Sequence, residues 1–220
     1  MIENSQSLII FDCDGVLVDS EIISVEVDQV VLADLGWILT RDEIIDRFVG
    51  RSHAHFLEVV EEHLGRKLAD DWEDDYQHLY RQALARDLRL IDGIAEALES
   101  IDLPMCVASN GSQSKMEFTL TRAGLWPRFE GRIFSASDVA HGKPAPDLFL
   151  HAAKVLGFQP PNCVVVEDSW AGVQAALAAN MKVIAYAGGI TRREQLLGDG
   201  VVIIEHMSQL PGAINALTNR

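Results

Sequence analysis

The chain has 220 residues, 48% hydrophobic and 23% charged, which suits a globular protein long enough to bury a core without disulfides or structural metals. Its formal net charge of -15 repels nucleic acid and anionic lipid, so neither is expected as a general partner. No apolar run approaches the roughly 20 residues of a membrane helix, and the N-terminus carries no leader pattern; a cytoplasmic monomer is expected.

The first apolar run, residues 8–11 (LIIF), is followed at once by Asp12-Cys13-Asp14-Gly15. It is apolar on both alternating faces, as a buried parallel strand is. From about 22 to 89 there is no strand-like run. Apolar spacing there predicts amphipathic helices over 23–35, 41–49, 54–64 and 71–85. Thr40 and Glu43 fit a capping box at the second of these, and Gly36, Gly50 and Gly65 punctuate helix ends.

Beyond this stretch, apolar runs at 105–108 (MCVA), 163–166 (CVVV), 183–186 (VIAY) and 201–204 (VVII), with a weaker one at 132–136 (RIFSA), are separated by helical stretches at 115–123, 146–156 and 171–179. Strand-helix alternation predicts a parallel sheet with right-handed crossovers. The fold class expected is therefore α/β: a Rossmann-like parallel-sheet core, residues 1–18 and 88–220, with a small all-helical cap domain, 19–87, inserted after the first strand. Cys13, Cys106 and Cys163 show no CxxC or metal-ligand spacing and read as small buried hydrophobes.

Ligands of open α/β sheets bind beyond the carboxyl ends of the strands. The residues following the strands are Asp12 and Asp14, then Ser109-Asn110-Gly111, then Gly142-Lys143-Pro144, then Glu167-Asp168. Each signal alone has a plain reading as a turn, a helix cap or a solvated charge. Together they place carboxylates, a hydroxyl and a lysine on one rim. Asp12 and Asp14 can divide nucleophilic and proton-transfer work. Ser109 and Asn110 with nearby amides can hold an anion, and four carboxylates brought together call for a hard cation such as Mg²⁺.

With these residues in view, the chain resembles the haloacid dehalogenase superfamily of phosphatases. Phe-Asp12-Cys-Asp14-Gly-Val-Leu-Val-Asp19-Ser, Val-Ala-Ser109-Asn, Gly-Lys143-Pro-Ala-Pro and Val-Glu167-Asp168-Ser-Trp-Ala-Gly172 follow that family's four motifs in order. The insert resembles the small cap of its β-phosphoglucomutase-like branch, which includes sugar-phosphate phosphatases. The resemblance implies Asp12 as nucleophile and Mg²⁺ ligand, and Asp14 as acid/base whose backbone carbonyl binds the metal. It also implies Ser109 and Lys143 on phosphoryl oxygens, and Asp168 with Glu167, direct or through water, in the metal shell. The expected substrate is a small phosphorylated metabolite, a sugar or sugar-acid phosphate.

The same resemblance admits a sugar-phosphate mutase, but the position where the mutase has a histidine is Ser24, and Arg51 is offset from the mutase's cap arginine, whose place His53 takes. Arg51, Ser52 and His53 are the expected substrate contacts of a cap that closes over the core and sets specificity. A carbon-halogen hydrolase would lack the second aspartate. A phosphonate hydrolase would need a cap lysine in an apolar setting, and the insert's single lysine, Lys67, has none. A non-catalytic receiver accepting phosphate on Asp12 is disfavoured by Asp14, which would hydrolyse the mark.

Overall fold

The computed structural model describes residues 7–49 and 53–218; the side chains of 53 and 54 are not described. The chain divides into two compact units, 1–18 with 89–220 and 19–88. Among the described residues no helix is long and apolar enough to cross a membrane.

The larger unit is built on six parallel strands: β1 (Leu8–Phe11), β2 (Met105–Ser109), β3 (Ile133–Ser135), β4 (Cys163–Glu167), β5 (Lys182–Tyr186) and β6 (Val201–Ile204). Their spatial order is β3-β2-β1-β4-β5-β6, so successive strands run outward from β1 in one direction and then, from β4, in the other. The place where the order reverses, between β1 and β4, is where the carboxyl ends splay a crevice open. The register sets Phe11 beside Val107 on one side and Val166 on the other. Every residue of β1, β2 and β4 is buried, which is why these strands are unbroken apolar runs up to their last residue.

In chain order the helices of the larger unit are α5 (Ile94–Ser100), α6 (Gln113–Arg122), α7 (Trp126–Phe129), α8 (Asp147–Leu156), α9 (Trp170–Ala178) and α10 (Leu210–Thr218). Leu148, Phe149, Ala152 and Ala153 of α8 and Val173, Ala175 and Ala176 of α9 are buried in one core cluster with β1, β2, β4 and β5; each large apolar side chain so covered contributes about 1.5–3 kcal/mol. The helix expected at 115–123 begins at 113, because Ser112 caps it by accepting from the Lys115 amide at 3.2 Å. α5, α7 and α10 add to the expected set.

The smaller unit holds α1 (Glu21–Asp34), α2 (Arg41–Phe48), α3 (His53–Leu64) and α4 (Asp74–Asp87). The expected capping box is present: Thr40 Oγ1 accepts from the Glu43 amide at 3.3 Å, and Glu43 Oε2 accepts from the Thr40 amide at 2.8 Å. Its buried side chains are mostly aliphatic, among them Ile23, Val31, Leu32, Ile44 and Val60, and less buried aromatic contacts add to them, with Trp37 stacked on His63 at 3.9 Å between centroids and Phe48 against Phe56 at 4.7 Å. The ends of the insert leave the larger unit side by side, since Val18 bridges Leu90 and the Ile91 amide donates to Leu17 at 3.1 Å.

Candidate active site

Asp12 is the first residue past β1, and its amide donates to the carbonyl of Val166 on β4 at 2.9 Å. That bond ties the β1 loop to its neighbour at the switch point. The Asp12 carboxylate accepts from Lys143, whose ammonium also donates to Glu167 Oε1 at 2.6 Å. The Lys143 side chain is 3% exposed and lies 4.8 Å over the centre of the Phe149 ring. Burial opposes its charge, but Asp12 and Glu167 outweigh burial and hold the ammonium above its usual range. Asp12 meets the reverse balance: burial, against the lowering effect of Lys143 and helped by Glu167 and Asp14, pushes its carboxyl up to about 7.

Two features fix Lys143. Asn110 clamps its backbone, accepting from the Lys143 amide at 2.9 Å and donating to its carbonyl at 3.1 Å. Gly142 makes that approach possible, for a Cβ there would lie 2.7 Å from Asn110 Oδ1. The side chain of Asn110, expected on phosphate, is thus engaged with the lysine loop. Behind Lys143, Glu167 is fully buried. Its Oε2 accepts from the Asp168 and Ser169 amides at 3.0 and 2.9 Å and from the Ser169 hydroxyl at 2.8 Å. A role for Glu167 as a direct metal ligand would compete with these bonds. Ser169 also caps α9, accepting from Gly172 at 3.0 Å.

Asp14 turns the other way. Its Oδ2 accepts from Lys115 Nζ at 2.9 Å, a residue of the first turn of α6 that the sequence reading did not single out. Burial works against the Lys115 charge, and Asp14 more than offsets it, raising the ammonium. A cation in the first turn of a helix opposes the helix dipole, and that mismatch was the available signal. Ser109, at the end of β2, is buried and accepts from the Gly111 amide at 3.2 Å. A Cβ on Gly111 would lie 3.6 Å from Ser109 Oγ and 3.7 Å from Asp14 Oδ2, so hydroxyl and carboxylate are grouped about one bare Cα.

Asp168 follows β4 beside the Asp12 loop. Gly15 has φ 74°, and a Cβ there would lie 1.9 Å from Asp168 Oδ2; glycine is required both for the left-handed turn and for the carboxylate's approach. Among the described residues no three His, Cys, Asp or Glu side chains form a ready chelating group. Mg²⁺ does not need one, since it takes one or two carboxylates and completes its shell with water and substrate phosphate. Asp168, its carboxylate backed onto Gly15, and Asp12, at the end of the adjacent strand, fit that demand. Of the expected substrate contacts, Arg51 and Ser52 lie outside the described residues, and His53 is described only as the first residue of α3. Cys13, Cys106 and Cys163 are all buried free thiols.

A model of the haloacid dehalogenase-like hydrolases matches residues 6–180. The chain is 33% identical over 207 residues to 6-phosphogluconate phosphatase of Escherichia coli, covering 92% of each. It is 31% identical over 190 residues to fructose-1-phosphate phosphatase of the same organism, covering 80% of this chain and 94% of that protein. A solved haloacid dehalogenase-like protein from Agrobacterium tumefaciens is similar at a TM-score of 0.85 and 39% identity, over 96% of this chain and 99% of that one. The matched segment takes in the whole rim from Asp12 to Gly172, and the chain belongs to the haloacid dehalogenase-like hydrolases.

Proposed function

We propose that this chain is a magnesium-dependent phosphate-monoester hydrolase that acts on a phosphorylated sugar or sugar acid through a phospho-aspartate on Asp12. The observation that carries the reading is the buried chain Asp12–Lys143–Glu167 at the point where the strand order reverses. It fixes a carboxylate nucleophile and an ammonium together where a phosphoryl group would enter.

Asp12 attacks phosphorus, and the bond from phosphorus to the sugar oxygen breaks as Asp14, entering the step as the carboxylic acid, gives that oxygen its proton. Water then attacks the phospho-aspartate while Asp14 takes its proton, the bond from phosphorus to Asp12 breaks, and inorganic phosphate leaves. Lys143 and the Ser109 hydroxyl hold the equatorial oxygens, which spread the charge of a loose transition state. Asp12 and Asp168, with the Asp14 carbonyl, would hold Mg²⁺, which supplies the positive charge that keeps Asp12 ionised and neutralises the phosphoryl oxygens.

Both curated relatives are named for phosphorylated sugars or sugar acids, which supports that substrate class. Ser24, in the first turn of α1, offers no imidazole at the position where the mutase has its histidine, which favours hydrolysis over phosphoryl return. The test is phosphate release from a panel of sugar and sugar-acid phosphates, with Mg²⁺, with EDTA, and with Asp12→Asn. Turnover is expected with Mg²⁺, loss in chelator, and abolition by the isosteric amide. Substantial turnover by Asp12→Asn, or full activity in metal-free protein, would overturn the reading.

A further inference from the structure

We propose that Lys115 is a positioning residue for Asp14, holding the acid/base carboxylate at the rim in the orientation it works from. The inference rests on the hydrolase reading and adds a residue that reading does not use. Lys115 Nζ meets Asp14 Oδ2 at 2.9 Å across a separation of 101 residues, with side chains 38% and 22% exposed. The contact therefore joins the β1 loop to α6, two elements whose placement comes from the sheet.

Helix stability does not account for a lysine here. The first turn of α6 lies at the positive end of the helix dipole, an unfavourable place for a cation. Fold stability accounts for it little better, because ion pairs that remain partly open to water contribute little. Geometry does account for it. The Lys115 backbone is fixed by the Ser112 cap, and its stem passes Gly111, where a built Cβ would lie 3.6 Å from Lys115 Cδ. That same bare Cα faces Ser109 Oγ and Asp14 Oδ2, so the stem runs beside the groups that would flank the phosphoryl group. Lys143 is committed to Asp12 and Glu167. Lys115 is a second cation at the rim and engages Asp14, which Lys143 does not contact.

Asp14 hands a proton to the leaving oxygen as the acid and then takes one from water as the carboxylate, and it must keep its place through both steps. A misplacement of about 1 Å can cost about 10²-fold in rate. Lys115→Met should therefore lower kcat by about 10- to 100-fold with KM within about twofold of wild type. Lys115→Arg, which keeps the cation, should recover most of the loss.

The deciding experiment is a double-mutant cycle with Asp14→Asn, run with Mg²⁺ on a sugar phosphate at enzyme concentrations that make the residual rate measurable. If Lys115 works through Asp14, Lys115→Met costs nothing further once Asp14 is gone. Multiplying losses in the double variant would overturn the proposal, as would a raised KM with unchanged kcat, which would mark Lys115 as a substrate contact. A wild-type protein inactive on every phosphate ester would defeat the hydrolase reading instead, and an active one with multiplying losses would defeat only the role of Lys115.

Discussion

Gly172→Ala sets two opposed effects against each other at one atom. Gly172 lies in the first turn of α9, where alanine is the better helix former by about 0.8–1 kcal/mol. A Cβ at this position would lie 1.8 Å from both Cδ and Oε1 of Glu167 and 2.4 Å from Oε2. That carboxylate is fully buried and held by Lys143, by two amides and by the Ser169 hydroxyl. It has to leave its place. Hydrogen bonds to charged groups are worth about 1.5–3 kcal/mol each, so loss of one already exceeds the helix gain. Loss of two makes the variant about 2–5 kcal/mol less stable than wild type. Lys143 then loses one of its two anchors, and kcat should fall with stability. Urea unfolding gives the first number from the midpoint at unchanged slope, and phosphate release on the same sample gives the second. A variant as stable as wild type with unchanged kcat would refute the claim that the packing of Glu167 against α9 holds the catalytic lysine.

Asn110→Ala removes both side-chain bonds to the Lys143 backbone, leaving a partly buried amide and carbonyl unsatisfied at a cost of about 1–3 kcal/mol. It is expected to lower kcat about tenfold or more, since it loosens a group that must sit within a fraction of an ångström; unchanged kcat would place the constraint on Lys143 elsewhere. In the smaller unit, Asp28 of α1 accepts from Tyr80 of α4, and burial raises its carboxyl to about 6, against the Tyr80 hydrogen bond and with help from Glu73. The folded value exceeds the unfolded one, so the stability linked to this group is full below about pH 4 and is lost as pH rises through about 6. Asparagine keeps an accepting oxygen and cannot ionise. Asp28→Asn should therefore raise stability by about 1–3 kcal/mol at pH 8 and change little near pH 4, read from urea midpoints; an equal effect at both would sink the assignment.

What could be read from the sequence follows from what burial demands. β1, β2 and β4 are covered on both faces, so no polar residue interrupts them and their ends announce Asp12, Ser109 and Glu167. The added helices are those whose local signals point elsewhere. α10 (LPGAINALT) carries Pro211 and Gly212 in its first turn, which read as breakers but are tolerated where amides lack partners anyway. α5 follows Gly93 at φ 77° without a side-chain cap, and α7 is a single turn containing Pro127. At the rim, motif spacing marked Asn110 without saying which way its amide faces. That direction depends on Gly142, 32 positions away, having no Cβ. Lys115 belonged to no motif, and its contact with Asp14 exists only after β1 and α6 are brought together by the sheet.

The charges at the rim explain why a cation belongs in the proposed reaction. Asp12, Asp14, Glu167 and Asp168 bring four carboxylates, and Lys115 and Lys143 bring two ammonium groups. With every group ionised, two negative charges remain before any substrate arrives, and a phosphate monoester adds nearly two more. Burial, against the lowering effect of Lys143 and with help from Glu167 and Asp14, pushes the Asp12 carboxyl up to about 7. A protonated carboxyl attacks phosphorus poorly, and Lys143, already in contact with Asp12, divides its charge between that carboxylate and Glu167. A divalent cation held by Asp12 and Asp168 would supply positive charge beyond that of the two lysines, which are already engaged by Asp12, Glu167 and Asp14. The buried lysine and the cation thus do different work in the proposal: Lys143 fixes where the carboxylate stands, and the metal fixes that it is charged.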